Sequence, residues 1–164
     1  MEIRLAQFTD LEDILKIKAI AYNFMLSKGN KNQWIDDYPQ KELLLNDIKN
    51  KHLYLITKNN LPHAFFYFNI EEDPTYINIY EGKWLNNEPY GVIHRLASDL
   101  VIKDVFKIAL EFALKNINNL RVDTYKDNHV MLYLLNKYHF HRCGIIYVKT
   151  SNFQDRIAFQ FVKE

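Results

Sequence analysis

Cysteine is nearly absent from this sequence, with one in 164 residues, and glycine and proline are scarce at four each. The lone Cys143 excludes a disulfide framework within the chain. Excess charge of one sign is also missing: 21 Lys+Arg face 20 Asp+Glu for a net +1, which argues against a general nucleic-acid binder. No apolar run approaches the roughly 20 residues of a membrane span, and the opening MEIRLAQFTD lacks a signal peptide's apolar region. The expectation is a soluble, cytoplasmic protein with residues 1–164 as one globular domain. A chain of this length buries about two-thirds of its unfolded surface and needs no disulfide or metal staple.

Aromatic residues are abundant, with 11 Tyr and 11 Phe. Lys and Asn clusters such as Lys58-Asn59-Asn60 read as the codon composition of an AT-rich genome and imply no function. Alternating Ile3 and Leu5 predict a first strand. Thr9 and Glu12 have the spacing of a capping box, and Leu11, Ile14, Leu15, Tyr22 and Met25 predict one helix face ending near Gly29. A short helix through Leu44 and Ile48 follows. Strands are predicted at His52–Thr57, Ala64–Phe68 and Gly91–Ala97, with an aromatic excursion from Asp73-Pro74 between the last two. Val105, Ile108, Ala109 and Phe112 then mark a helix, Leu120–Asp123 a strand, and Met131, Leu134, Leu135 and Tyr138 another helix. Two closing strands, Gly144–Thr150 and Ile157–Val162, flank a Ser151-Asn152 turn. The order β-α-α-β-β-β-α-β-α-β-β predicts a mixed sheet covered by helices.

Five stretches in this order, Trp34-Ile35-Asp36-Asp37-Tyr38-Pro39, His94-Arg95-Leu96-Ala97, Arg121-Val122-Asp123-Thr124 with Asp127-Asn128 and Met131, Cys143-Gly144-Ile145-Ile146-Tyr147, and Arg156, span most of the chain. In them the sequence resembles the GNAT superfamily of N-acetyltransferases, in particular a bacterial subgroup with WxxDYP and HRxA motifs. The resemblance implies an α+β fold with a mostly antiparallel mixed sheet flanked by helices. It also implies direct transfer of an acetyl group from acetyl-CoA to an amine. That reaction needs a base for the ammonium, an N–H donor for the oxyanion and an acid for the departing thiolate.

By the same resemblance, backbone around Leu96, Ala97 and Ser98 meets the pantetheine arm, and Asn128 contacts it as well. Asn128 equally suits a helix N-cap. The pyrophosphate loop falls on residues 98–107, including Lys103, Asp104, Val105, Phe106 and Lys107. It holds no glycine, and Asp104 stands where the subgroup has one. A carboxylate at a helix start is an ordinary cap or dipole partner, yet it repels a pyrophosphate, while Lys103 and Lys107 offer compensating charge. The expected effect of Asp104 is weaker CoA binding.

Catalytic candidates are fewer. The position for a helical tyrosine acid holds Leu135, and Tyr133 and Tyr138 nearby read as packing. His94 is the leading base, with a buried, backbone-bonded histidine as its bland alternative. Arg95 is expected to face away from His94 and pair with Asp123 or another carboxylate. Glu81, in the aromatic excursion, is a second candidate base or else a solvated surface glutamate. Trp34, Tyr38, Tyr76, Trp84 and Tyr90 could line an acceptor pocket for an apolar or cationic amine, or serve as core. The six histidines and one cysteine show no zinc-ligand set, so no metal is expected. Expected partners are a small amine or peptide, with no nucleic acid and no membrane, and a homodimer is open. The rival reading is a degenerate GNAT-fold module that binds CoA weakly or not at all. A single-stranded nucleic-acid platform fits the charge balance poorly.

Overall fold

The computed structural model describes residues 1–149 and 154–164. In chain order its elements are β1 (Glu2–Leu5), α1 (Leu11–Ser27), α2 (Lys41–Lys49), β2 (Leu53–Lys58), β3 (Leu61–Ile70), β4 (Gly91–Ser98), α3 (Val105–Leu114), β5 (Asn119–Thr124), α4 (His129–Lys137), β6 (His141–Val148) and β7 (Gln154–Val162). The element order is the expected one. The strands form one open sheet in the order β1-β2-β3-β4-β5-β7-β6. Among the described strand pairs only β4–β5 is parallel, so the sheet is mixed and mostly antiparallel. The predicted Ser151-Asn152 turn lies outside the described residues.

The central strands are apolar on both faces because both faces are covered. Ile14, Leu44, Leu53, Leu55, Phe65 and Ala97 form a core beneath α1 and α2. Ile56, Phe66, Phe106, Leu110, Leu120 and Leu135 form another beneath α3 and α4. Two helix faces are rotated from the expected ones. The buried line of α1 is Ile14, Ile17 and Ala21, with Tyr22 turned outward. That of α3 is Phe106, Ala109, Leu110 and Ala113. The capping-box expectation is also corrected. Asp10, rather than Glu12, accepts the N–H of Gln7 at 2.8 Å and is gripped by Arg4. Glu12 is left to pair with Lys16 on the surface.

The sheet's decisive irregularity is in β4. Its register against β3 slips between Tyr67↔His94 and Phe65↔Ala97, and Arg95 sits in the left-handed region at φ 54°. A bulge of this kind bends its strand. β4 therefore pairs with β5 only at Gly91↔Leu120 and Val92↔Arg121 before the two strands part. The bulge is tied down from α2: the Arg95 guanidinium donates to Asp47 at 2.8 and 3.1 Å and to the Tyr38 hydroxyl at 2.9 Å. The carboxylate partner of Arg95 is thus Asp47, not Asp123.

Burial pushes the Asp47 carboxyl up even against the opposing pull of Arg95. The value of such a buried pair lies in fixing geometry more than in net stability. Removing one partner strands the other's charge. Asp47→Ala should lower unfolding free energy by about 3–5 kcal/mol, measured by urea titration.

Candidate active site

The gap between β4 and β5 opens into a cleft of about 750 Å³. One wall is β4 from Ile93 to Ser98 with the start of α3, and the other is Val122–Thr124 with the first turns of α4. The end of α1 and the segment Gln33–Tyr38 close one end. Because β4 has left β5, backbone groups on that edge of the strand face the cleft instead of a ladder partner.

At the mouth of this gap His94 is held by a carboxylate. Its Nε2 lies 2.8 Å from Asp73 Oδ2, and its Nδ1 lies 3.8 Å from Asp123 Oδ2. An ionised carboxylate can only accept, so His94 Nε2–H donates to Asp73. Asp73 also takes the N–H and hydroxyl of Thr75. Burial alone would raise its pKa, but the bond and charge of His94, together with Thr75, hold the carboxyl down at about 2. Asp123 accepts from the Tyr76 hydroxyl at 2.6 Å and has Arg156 at 3.5 Å. Burial and the neighbouring Asp123 and Asp73 push the Tyr76 phenol well up, so it stays a donor. Glu71 accepts from Tyr67 and Asn69 and lines the same cleft.

The residues expected from the sequence fall into two groups. His94, Leu96, Ala97, Ser98, Asp104, Val105, Phe106, Lys107, Asn128, Trp34 and Tyr38 all line the cleft. Lys103 is exposed outside it. Tyr76, Trp84 and Tyr90 do not line it either. Tyr76 reaches the site through its bond to Asp123 and through its ring, 5.8 Å from that of His94, while the rings of Trp84 and Tyr90 lie 4.2 and 4.0 Å from the Arg121 guanidinium. Glu81 is exposed on a segment that Tyr80 pins to β6 through paired 2.8 Å backbone bonds with Ile145, far along the sheet from β4. Asn128 caps α4 by accepting the N–H of Met131 at 3.2 Å. Tyr138, read from the sequence as packing, packs on Phe106 and also lines the cleft, whereas Leu135 is fully buried.

Sequence reasoning missed Asp73, because Asp-Pro reads as a turn. It also missed Gln33, which accepts the N–H of Tyr125 and binds Arg156 through its carbonyl oxygen. Its place beside Trp34 in the motif was the available signal. The loop before α3 departs from a phosphate cradle in a defined way. Ser98 Oγ takes the N–H of Leu100 and Asp99 Oδ1 that of Val101. Asp104 adopts the left-handed conformation, φ 58°, that a glycine would take without strain. Its side chain makes no cap bond. Among the described residues no group of His, Cys, Asp and Glu is placed to hold a metal. No helix among them is long and apolar enough to cross a membrane.

Neither a protein-family model nor a curated protein sequence matches the chain. Solved structures do. A GNAT-family acetyltransferase from Streptococcus agalactiae superposes with TM-score 0.86 at 25% identity, covering 99% of this chain and 95% of that one. This chain has the GNAT acetyltransferase fold. The ribosomal-protein-S18-alanine N-acetyltransferase of Escherichia coli shares it at TM-score 0.63 and 14% identity, covering 98% and 92%. So does yncA of Salmonella typhimurium, solved with its cofactor acetyl-CoA, at TM-score 0.61 and 10% identity, covering 99% and 94%. In this GNAT-fold chain the parting of β4 and β5 and the Asp73–His94 pair lie side by side.

The Asp73 carboxyl gives a pH signature. Its folded pKa lies below the usual carboxylate range, so its contribution is complete above that range and is lost as pH falls toward 2. The amount is up to about 2 kcal/mol. Acid-unfolding curves of the parent and of Asp73→Asn should therefore converge between about pH 4 and 2.

Proposed function

We propose that this chain is an N-acetyltransferase that moves an acetyl group from acetyl-CoA to a primary amine of a small molecule or peptide by direct transfer. Residues 1–164 serve as one domain. The observation that carries this reading is the opening between β4 and β5 with His94 beside it, bonded to Asp73 and within 3.8 Å of Asp123. When bound, acetyl-CoA supplies an activated acetyl as a thioester. The freed β4 edge around Leu96, Ala97 and Ser98 takes the arm, and one of its N–H groups holds the carbonyl oxygen. Asp123 attracts the acceptor ammonium, and His94 Nδ1 removes its proton, so that the neutral nitrogen can bond to the carbonyl carbon as the C–S bond breaks. Asp73 fixes the imidazole tautomer and stabilises the charge it gains. Of the hydroxyls lining the cleft, Tyr138, at the end of the helix of Leu135, is the candidate to give a proton to sulfur, and the second proton shed by the newly acylated nitrogen restores it.

The gap between β4 and β5 suits an extended arm. By the resemblance the pyrophosphate would meet the loop that carries Asp104, whose carboxylate opposes it, with Lys107 as partial compensation. These features favour the second reading, a GNAT-fold module that binds CoA weakly or not at all.

Melting with and without millimolar acetyl-CoA separates the two readings. Saturation at 100 times Kd should stabilise the protein by about 2.7 kcal/mol, and no shift would support the module. Asp104→Gly removes both the repulsion and the left-handed strain. It should tighten acetyl-CoA binding roughly fivefold or more, read by calorimetry; unchanged affinity would clear Asp104. His94→Ala should lower kcat by about 10²-fold or more while leaving the acetyl-CoA melting shift in place.

A further inference from the structure

Asp73 lies near the start of the connection from β3 to β4, and Tyr90 ends it. Local bonds shape the turn at Asp73: its Oδ1 takes the N–H and hydroxyl of Thr75, and its carbonyl oxygen takes the N–H of Tyr76. Those bonds form the turn without placing it over the sheet. Two bonds from farther along the chain do that. The buried Asp73 N–H donates to the Tyr90 hydroxyl at 2.9 Å, and Trp84 Nε1 donates to the Tyr76 carbonyl oxygen at 2.9 Å. Tyr90 is itself fixed. It stands immediately before Gly91, where an added Cβ would lie 2.8 to 3.0 Å from Phe68, Ile117 and Leu120, so the start of β4 is tightly seated. From β5 the Arg121 guanidinium lies 4.0 Å from the Tyr90 ring and 4.2 Å from that of Trp84.

Neither ring lines the cleft. Each nevertheless bonds the backbone of a residue whose side chain meets the site: Asp73 lies 2.8 Å from His94 Nε2, and Tyr76 donates to Asp123 at 2.6 Å. A displacement of about 1 Å at the reacting groups can cost roughly 10²-fold in rate. We propose that Tyr90, seconded by Trp84, is a positioning residue for acetyl transfer: its hydroxyl sets the Asp73 backbone and so the aim of the His94 imidazole. Trp84 does the same for Asp123 through Tyr76. The inference rests on the acetyltransferase reading and gives a role in it to two aromatic rings outside the cleft. Tyr90→Phe keeps the ring beside Arg121 but takes the acceptor from a buried N–H, so the turn must shift toward another acceptor or toward water.

The test uses the full chain with acetyl-CoA, and phenethylamine and alaninamide as acceptor amines. Tyr90→Phe should lower kcat by roughly 10–100-fold while leaving the acetyl-CoA melting shift unchanged. Trp84→Phe should act in the same direction by roughly 3–10-fold. In proton NMR the parent should show a downfield imidazole signal from His94 Nε2–H, identified by its loss in His94→Ala, and Tyr90→Phe should broaden or erase it. In an Asp73→Asn background Tyr90→Phe should cost nothing further, because the residue it acts through is already disabled. Losses that simply multiply in the double variant overturn the proposal. So do a kcat and an imidazole signal left unchanged by Tyr90→Phe, a parent without that signal, or a fall in kcat that comes with loss of the melting shift. Should Tyr90→Phe not fold, Trp84→Phe decides by the same kcat and melting-shift readings. Should the parent acetylate neither amine, the imidazole signal alone decides. A parent with neither activity nor an acetyl-CoA melting shift counts against the acetyltransferase reading itself, a separate failure.

Discussion

The cleft exists because one arginine is held in a conformation that its backbone resists. A left-handed non-glycine residue costs roughly 1–2 kcal/mol, and Arg95 adopts one in the middle of β4. What holds it there is a set of contacts no other side chain could make together: two bonds to Asp47, one to Tyr38, and the Tyr67 ring 4.4 Å from the guanidinium. Straighten that residue and the register slip against β3 would have no reason to persist. β4 could then continue its ladder with β5 beyond Val92, and the cleft would close. From this stretch His94 bonds Asp73 and Arg95 reaches Asp47 on α2, and both lie against the Tyr67 ring.

The site balances charge unevenly along its length. At one end Glu71, Asp73 and Asp123 face His94 and Arg156, and Arg95 is already neutralised by Asp47. That end suits a cation. At the other, Asp104 and Lys107 bring opposite charges and the loop's own Ser98 and Asp99 take two of its N–H groups.

Much of this was legible in the sequence. Alternation and helical spacing gave the order of elements, because each element buries a face with its own period. The HRxA and WxxDYP stretches located the cleft wall through His94, Ala97, Trp34 and Tyr38. What periodicity could not reveal was contact between distant segments. Asp47 looks like an ordinary polar position on a short helix, and only the fold brings it to Arg95. Asp73 reads as a turn residue before proline. Tyr76, Trp84 and Tyr90 read as pocket lining because aromatics serve cores and pockets alike, and here Trp84 and Tyr90 pack around Arg121 instead. The bond from the Asp73 N–H to the Tyr90 hydroxyl is invisible to any pattern, since pairing is a property of the folded neighbourhood.

The most direct check on the central claim is a crystal structure of the protein grown with acetyl-CoA. The account predicts a pantetheine arm lying between β4 and β5 beyond Val92, its carbonyl oxygen on a backbone N–H of β4 and its acetyl group facing His94, with Arg95 still left-handed. Electron density showing β4 and β5 zipped together past Val92, or the cofactor bound anywhere else, would contradict it.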